Sequence, residues 1–566
     1  MSEYPWIKSY PDGLRWDVEL PVQPVQDILD MAAAQWPDLI AVDFMGRRTS
    51  YRELKSLADR AAAGLQQLGV GPGVHVGLYL PNTPHYIVAF FAVLKAGGVV
   101  VNYSPLDAEK VLEHKVEDSR TDIMVTLDLQ AMAPQMLRLL DKTRLRMLVV
   151  GNVAETSGAP EVVAQQMNQA GQIATLPEGD ERIVRYADLI DKDGQFVTHP
   201  IADPRDAIAV LQYTGGTTGQ PKGAMLTHAN LSTACSQIWA ITQGEPKVLA
   251  LAKEKVLVVL PLFHIYALTA DMLFGLQIGA ELVLHLRFDL DAALRDLVAK
   301  RITCLPGVPT MFTALISHPD AARLDLSSLR HCSSGGAPLP VEVQQRFQQL
   351  TGCPLNEGWG MTETSPTGTF TPIFGRRKAG SCGLPVPGTV IKLVDVDDPS
   401  REVPAGERGE MCVKGPNVMK GYWNNPEATA ASMTADGFFR TGDVAIMDDD
   451  GFIFIVDRTK DMLLCGGYNV YPRNIEEAIY THPSVAEVSV IGVPDAYRGQ
   501  SPKAFVVLKA GAATLTLDAL KTFLADKLGK HEMVQELALR TELPKTPVGK
   551  LSKKELYAEE AARRAR

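Results

Sequence analysis

The sequence predicts an α/β fold, and three observations predict it. Helical and strand patterns alternate through residues 51–150 and again through 207–355, as in parallel sheets covered by helices. From 380 to 443 the pattern changes to short strands punctuated by glycine and proline, which marks a small β-rich subdomain. Beyond 460, strands and helices mix in a pattern of their own. At 566 residues the chain exceeds what one core supports. A large N-terminal domain of doubly wound sheets with that β-rich subdomain is expected, followed by a small α+β C-terminal domain.

The elements follow in order. Residues 51–67 place Leu54, Leu57, Ala61 and Leu65 on one helical face. Residues 74–80 are a short apolar run ending at Pro81, a buried strand. The longest apolar stretch, 86–101, is broken by Lys95 and by Gly97 and Gly98. It is too short for a bilayer and reads as a buried helix running into a strand. Further strands are expected at 123–127 and 147–150. Residues 152–200 are polar, carry no motif and read as a loop-rich insertion. The second block has strands at 255–260 and 280–284 and a helix at 341–350. The C-terminal part has strands at 485–493 and 504–508 and helices at 517–527 and 552–563.

Composition narrows the function. The formal net charge of −10 argues against a nucleic-acid partner, which calls for a basic face. The seven cysteines are scattered without a CxxC pair, the pattern of reduced thiols in a cytoplasmic protein. The opening MSEYPWIKSYPDG has no apolar signal core. Peripheral contact with the inner face of a membrane, and a homodimer, stay open.

Residues 211–223 read LQYTGGTTGQPKG. Hydroxyls, small residues and free backbone N–H groups ending in a lysine suit a polyphosphate. A Walker loop does not fit, because Pro221 precedes Lys222 where that motif demands glycine. A surface turn is the other reading of this segment alone. Four more blocks follow: GWGMTET at 358–364, RTGD at 440–443, DRTKDMLLCGGYNVYP at 457–472 and PKTPVGK at 544–550. In that order they resemble the adenylate-forming superfamily over almost the whole chain. WIKSYPDG, TGGTTG and GLPVPGT resemble its bacterial long-chain fatty acid–CoA ligases in particular.

The resemblance implies a reaction and a site. ATP, Mg²⁺ and CoA would serve to activate a medium- or long-chain fatty acid through an acyl-adenylate, releasing AMP and pyrophosphate. The alternatives are an aryl or other carboxylate–CoA ligase, or an acyl-AMP ligase loading a carrier protein. Thr214, Gly215, Gly216, Thr217, Thr218, Gly219 and Lys222 would hold the phosphates. Glu363 and Thr214 would bind Mg²⁺, which favours few carboxylates beside phosphate oxygens. Gly335, Gly336 and Ala337 would receive adenine, a simple strand-to-helix turn being the other reading there; Trp359 would stack on adenine, Gly358 and Gly360 would join the nucleotide site, and Thr362 would reach the α-phosphate. Asp443 would take the ribose hydroxyls and Arg458 the ribose or phosphate. An Asp443–Arg458 surface pair is the other reading there.

Lys550, His264 and Lys222 would stand at the reacting atoms. Lys550 would cancel repulsion between carboxylate and phosphate, and His264 would position the acyl group. His264 also reads as an ordinary core histidine. The resemblance further implies a mobile C-terminal domain: residues 1–457, a hinge at 458–460 centred on Lys460, then 461–566. After rotation, Gly466, Gly467 and Tyr468 would line the pantetheine channel of CoA. The segment 529–535, GKHEMVQ, departs from the superfamily's usual YKVP.

Overall fold

The computed structural model describes residues 4–214, 220–458, 460–465, 468–495, 497–546 and 549–564. Gly215, Gly216, Thr217, Thr218, Gly219, Gly466 and Gly467 lie outside the described residues.

Two large sheets share one core. The first has eight strands, in the order Gly421–Tyr422, Lys222–Thr227, Ile208–Thr214, Val99–Asn102, His75–Leu78, Thr121–Leu127, Met147–Gly151 and Ile183–Arg185. From Ile208–Thr214 onward every pairing is parallel. Lys222–Thr227 runs antiparallel to Ile208–Thr214. A return of so few residues cannot make the crossover a parallel pair needs. The second sheet has seven strands, parallel except for Arg47–Ser50 at one edge.

The helix Pro84–Lys95 lies at the heart of the core, with every residue buried. Its faces are apolar all round, as burial on all sides requires. Lys95 is tolerated because Asp59 lies 2.9 Å from its ammonium and Asp30 also pairs with it. The helix Tyr51–Gln67 begins with a capping box in which Ser50 and Glu53 bond reciprocally. Gly64 leaves room there for the Leu189 backbone.

That last contact corrects the reading of 152–200. The segment holds the helix Pro160–Gln169, the edge strand Ile183–Arg185 and the helix Tyr186–Ile190. Tyr186 and Leu189 are buried. Two apolar anchors and one strand pairing are enough to order an otherwise polar stretch.

The β-rich subdomain is a four-stranded antiparallel sheet: Val390–Val394, Arg408–Lys414, Phe439–Met447 and Ile453–Arg458. The N-terminal segment straps it to the large sheets. Trp6 is buried against Gly451, and the Trp16 indole donates to the Thr389 carbonyl at 2.9 Å. After Arg458 the chain enters a five-stranded sheet with its own apolar core of Leu463, Ile475, Val488, Val506 and Leu520. This unit rests on the large one where the Thr310 hydroxyl donates to the Gly549 carbonyl at 3.0 Å. Among the described residues no helix is long and apolar enough to cross a membrane. All seven cysteines are free and buried.

Candidate active site

A cleft of about 1940 Å³ runs between the large unit and the C-terminal unit. The described site residues named from the sequence line it, with one exception, Tyr468. Tyr468 is 63% exposed and its ring lies 5.0 Å from that of His531.

Thr214 closes the strand Ile208–Thr214 and faces Lys222 across the antiparallel pair. The Lys222 ammonium stands 5.1 Å from the centre of the Tyr422 ring. The Tyr422 hydroxyl donates to Glu363 Oε1 at 2.8 Å. Lys222, Tyr422 and Glu363 thus form one row, although three separate segments supply them. Glu363 is 5% exposed, and burial raises its pKa. Tyr422 carried no signal in the sequence; the edge strand Gly421–Tyr422, paired to Lys222–Thr227, brings it here.

Asp443 and Arg458 are register partners on neighbouring strands. Arg458 Nε donates to Asp443 Oδ1 at 2.9 Å, and the Trp359 indole N–H donates to Oδ2 at 2.8 Å. The Asp443 side chain is 3% exposed and that of Arg458 is 44% exposed, so the pair is inside the cleft wall on one side only. The missing side chain of Gly368 makes room for the indole.

Gly335 and Gly336 follow the strand His331–Ser334. A Cβ at Gly335 would lie 2.9 Å from the Tyr266 ring. The Tyr266 hydroxyl is 2.9 Å from Ser333 Oγ, which fixes the ring. Gly336 has φ of +78°, a conformation that costs a residue with a Cβ. Lys550 lies directly against it. The Lys550 backbone N–H donates to Thr546 Oγ1 at 3.1 Å, fixing the turn that presents the side chain. Burial, and then the Arg458 cation, push the Lys550 pKa down to about 8; Asp443 opposes them.

His264 accepts the Tyr266 N–H at Nδ1, 3.2 Å away, so its ring proton sits on Nε2. Burial and the Lys550 cation lower its pKa to about 3. The ring is neutral across the physiological range and a weak base. Lys460 lines the same cleft just after the strand Ile453–Arg458. Glu357, adjacent to the GWGMTET block, is a buried residue that sequence reasoning passed over. Its carboxylate accepts the Leu339 N–H at 3.2 Å, and burial raises its pKa to about 7.

Among the described residues no cluster of three or more His, Cys, Asp or Glu could hold a metal ion alone. One buried carboxylate, Glu363, in a row with Lys222, fits Mg²⁺ that takes its remaining ligands from phosphate and water.

Residues 29–423 match the family model described as AMP-binding enzyme, and 474–550 match the AMP-binding enzyme C-terminal domain. A long-chain-fatty-acid–CoA ligase of Bacillus subtilis is 39% identical over 99% of this chain and 98% of its own. A feruloyl-CoA synthase of Amycolatopsis is 36% identical over 92% of this chain and 96% of its own. The structure of ATP-bound MatB from Rhodopseudomonas palustris superposes with a TM-score of 0.81 at 29% identity. That match covers 95% of this chain and all of the other.

Proposed function

This chain belongs to the AMP-binding enzyme family, and we propose that it is an AMP-forming acid–CoA ligase acting on medium- to long-chain fatty acids. A carboxylate oxygen attacks the α-phosphorus of ATP. The bond from that phosphorus to the bridging oxygen breaks, giving acyl-adenylate and pyrophosphate. The CoA thiol then adds to the acyl carbonyl and loses its proton, and AMP departs with the electron pair of the acyl–oxygen bond.

The observation that carries this reading is Lys550. A cation from the C-terminal unit enters the cleft beside Gly336, within the field of Asp443 and Arg458. Bringing carboxylate and phosphate together costs charge repulsion, and an ammonium held between them offsets it. Thr214 and Lys222, with Gly215, Gly216, Thr217, Thr218 and Gly219, take the phosphates. Glu363 and Thr214 would hold Mg²⁺, which when bound draws charge from the phosphate oxygens. Gly335, Gly336, Ala337, Gly358, Trp359 and Gly360 receive adenine, Thr362 reaches the α-phosphate, and Asp443 with Arg458 takes the ribose. His264, held neutral, positions the acyl carbonyl.

For the second half-reaction the unit 461–566 turns about Lys460 relative to 1–457. Lys550 withdraws, and Gly466, Gly467 and Tyr468 line the pantetheine channel. The exposure of Tyr468 in the present arrangement supports that division of labour. We read the enzyme as cytoplasmic, in line with its seven free thiols.

A second reading, an aryl-acid–CoA ligase, is favoured by the likeness to a feruloyl-CoA synthase. Acid-dependent AMP release, measured with and without CoA for octanoate through oleate and for ferulate, decides between them. The expected result is CoA-stimulated release with the fatty acids. Release with ferulate alone would overturn the fatty-acid assignment. Acyl transfer to a purified carrier protein but not to CoA would overturn the CoA ligase.

A further inference from the structure

Val99–Asn102 and Ile208–Thr214 are adjacent parallel strands, with Asn102 opposite Gln212. In open α/β sheets, ligands sit beyond the carboxyl ends of such strands. Residues leading to Lys222 follow one of them in sequence. The segment 103–108 follows the other and leads into the helix Glu109–Ser119. Ser104, Asp107, Lys115, Tyr213 and Gln220 all line the cleft at this end.

Lys115 is the unusual member. It is only 6% exposed, yet it carries an ammonium in the wall of the cleft. Its Nζ is 2.6 Å from Asp107 Oδ2 and 5.5 Å from the centre of the Tyr213 ring. Tyr213 immediately precedes Thr214. The helix bearing Lys115 is tied to residues on either side of that stretch: His114 Nε2 lies 3.3 Å from the Pro221 carbonyl, and the Tyr213 hydroxyl donates to Asp118. The Asp107 segment is fixed from behind by the Gln135 side-chain amide at 3.4 Å and by the Tyr79 hydroxyl on the Pro105 carbonyl at 3.2 Å. A buried ammonium is costly unless it is paired, and a single carboxylate takes one of its three donors.

We propose that Lys115 and Asp107 form a receiving subsite for pyrophosphate, beside the end of the strand Ile208–Thr214. This rests on the adenylate-forming reading, in which pyrophosphate is released here. Lys115 exchanges its bond to Asp107 for the oxygens of the departing anion. Asp107 repels that anion and so keeps the subsite from retaining it. No covalent bond changes in this step; one charge-assisted hydrogen bond replaces another.

The test is calorimetric titration of the full-length protein with magnesium pyrophosphate, without acid or CoA. Lys115→Met should weaken binding about tenfold, the worth of a hydrogen bond to a charged group. Asp107→Asn should tighten it about threefold, because it frees the ammonium and removes a repelling charge. Lys115→Arg should retain most of the affinity. Each of the first two variants breaks the same ion pair, so a purely structural role would shift both in the same direction. Shifts of like sign, or both constants within about twofold of wild type, would overturn the subsite. Wild-type AMP release tests the ligase reading separately, so failure of one is distinguishable from failure of the other.

Discussion

The side chain of Lys550 lies on the bare face of Gly336: a Cβ there would come within 2.8 Å of the ammonium nitrogen. The two residues belong to different units of the chain. Their contact is secured by the Thr310–Gly549 hydrogen bond next to it. It puts the cation where burial, and then the neighbouring Arg458, lower its pKa while Asp443 supports its charge.

Lys550→Ala should reduce acid-dependent ATP–pyrophosphate exchange about a hundredfold to a thousandfold, the usual effect of removing a charge-stabilising group. Conversion of supplied acyl-adenylate and CoA to acyl-CoA should stay within a few-fold of wild type. Equal loss in both assays would show that the lysine is not specific to the first half-reaction.

Gly336→Ala tests the same contact from the other side. The added methyl meets Lys550, and φ of +78° strains any residue with a Cβ. Exchange should fall about tenfold, equivalent to ~1.4 kcal/mol on the barrier. Stability should fall by about 1–2 kcal/mol from the backbone alone. An exchange rate equal to wild type would remove Gly336 from the lysine's path.

In the proposed reaction Lys550 acts in its protonated form. With its pKa pushed down to about 8, the ammonium form is full below that pH and is lost above it. The kcat/KM for exchange should therefore decline above about pH 8, approaching tenfold per pH unit. Lys550→Arg keeps its charge at any accessible pH and should abolish that descending limb, whatever its absolute rate. A limb that persists in the arginine variant would belong to another group.

Burial raises Glu357 from 4.5 to about 7. Between those values the folded protein holds a proton that the unfolded chain has released. Stability contributed by this group is therefore complete below about pH 4.5 and lost as pH rises through 7. Glu357→Gln should be more stable than wild type at pH 8, by about 1–3 kcal/mol, and equal to it near pH 4. Denaturant unfolding at the two pH values measures this. A less stable variant at pH 8 would mean that attraction to Arg473 outweighs the burial.

Much of the fold was legible because it is local. The wholly buried helix Pro84–Lys95 announces itself through the apolar stretch that begins at residue 86, and the helix Tyr51–Gln67 through one apolar face. The change at 380 to short strands with glycine turns is equally local. The segment 152–200 was not legible, since Ile183–Arg185 becomes a strand only by adding to a neighbour already in place. Lys222, Glu363, Asp443 and Lys550 could be named from their motifs. Their partners could not, because Tyr422 reaches Glu363, and Trp359 reaches Asp443, only through strand pairing and packing between distant segments.

By itself, the sequence determined which chemistries were available: hydroxyls, a carboxylate and lysines in ordered blocks, with an α/β periodicity to carry them. Tertiary structure alone decided how they combine. It set the Lys550 ammonium on Gly336 and the Lys115 ammonium beside Tyr213. The reason is physical: a residue's propensity acts over a few neighbours along the chain, whereas desolvation and Coulomb interactions depend on distance in space, which exists only after the sheets have assembled.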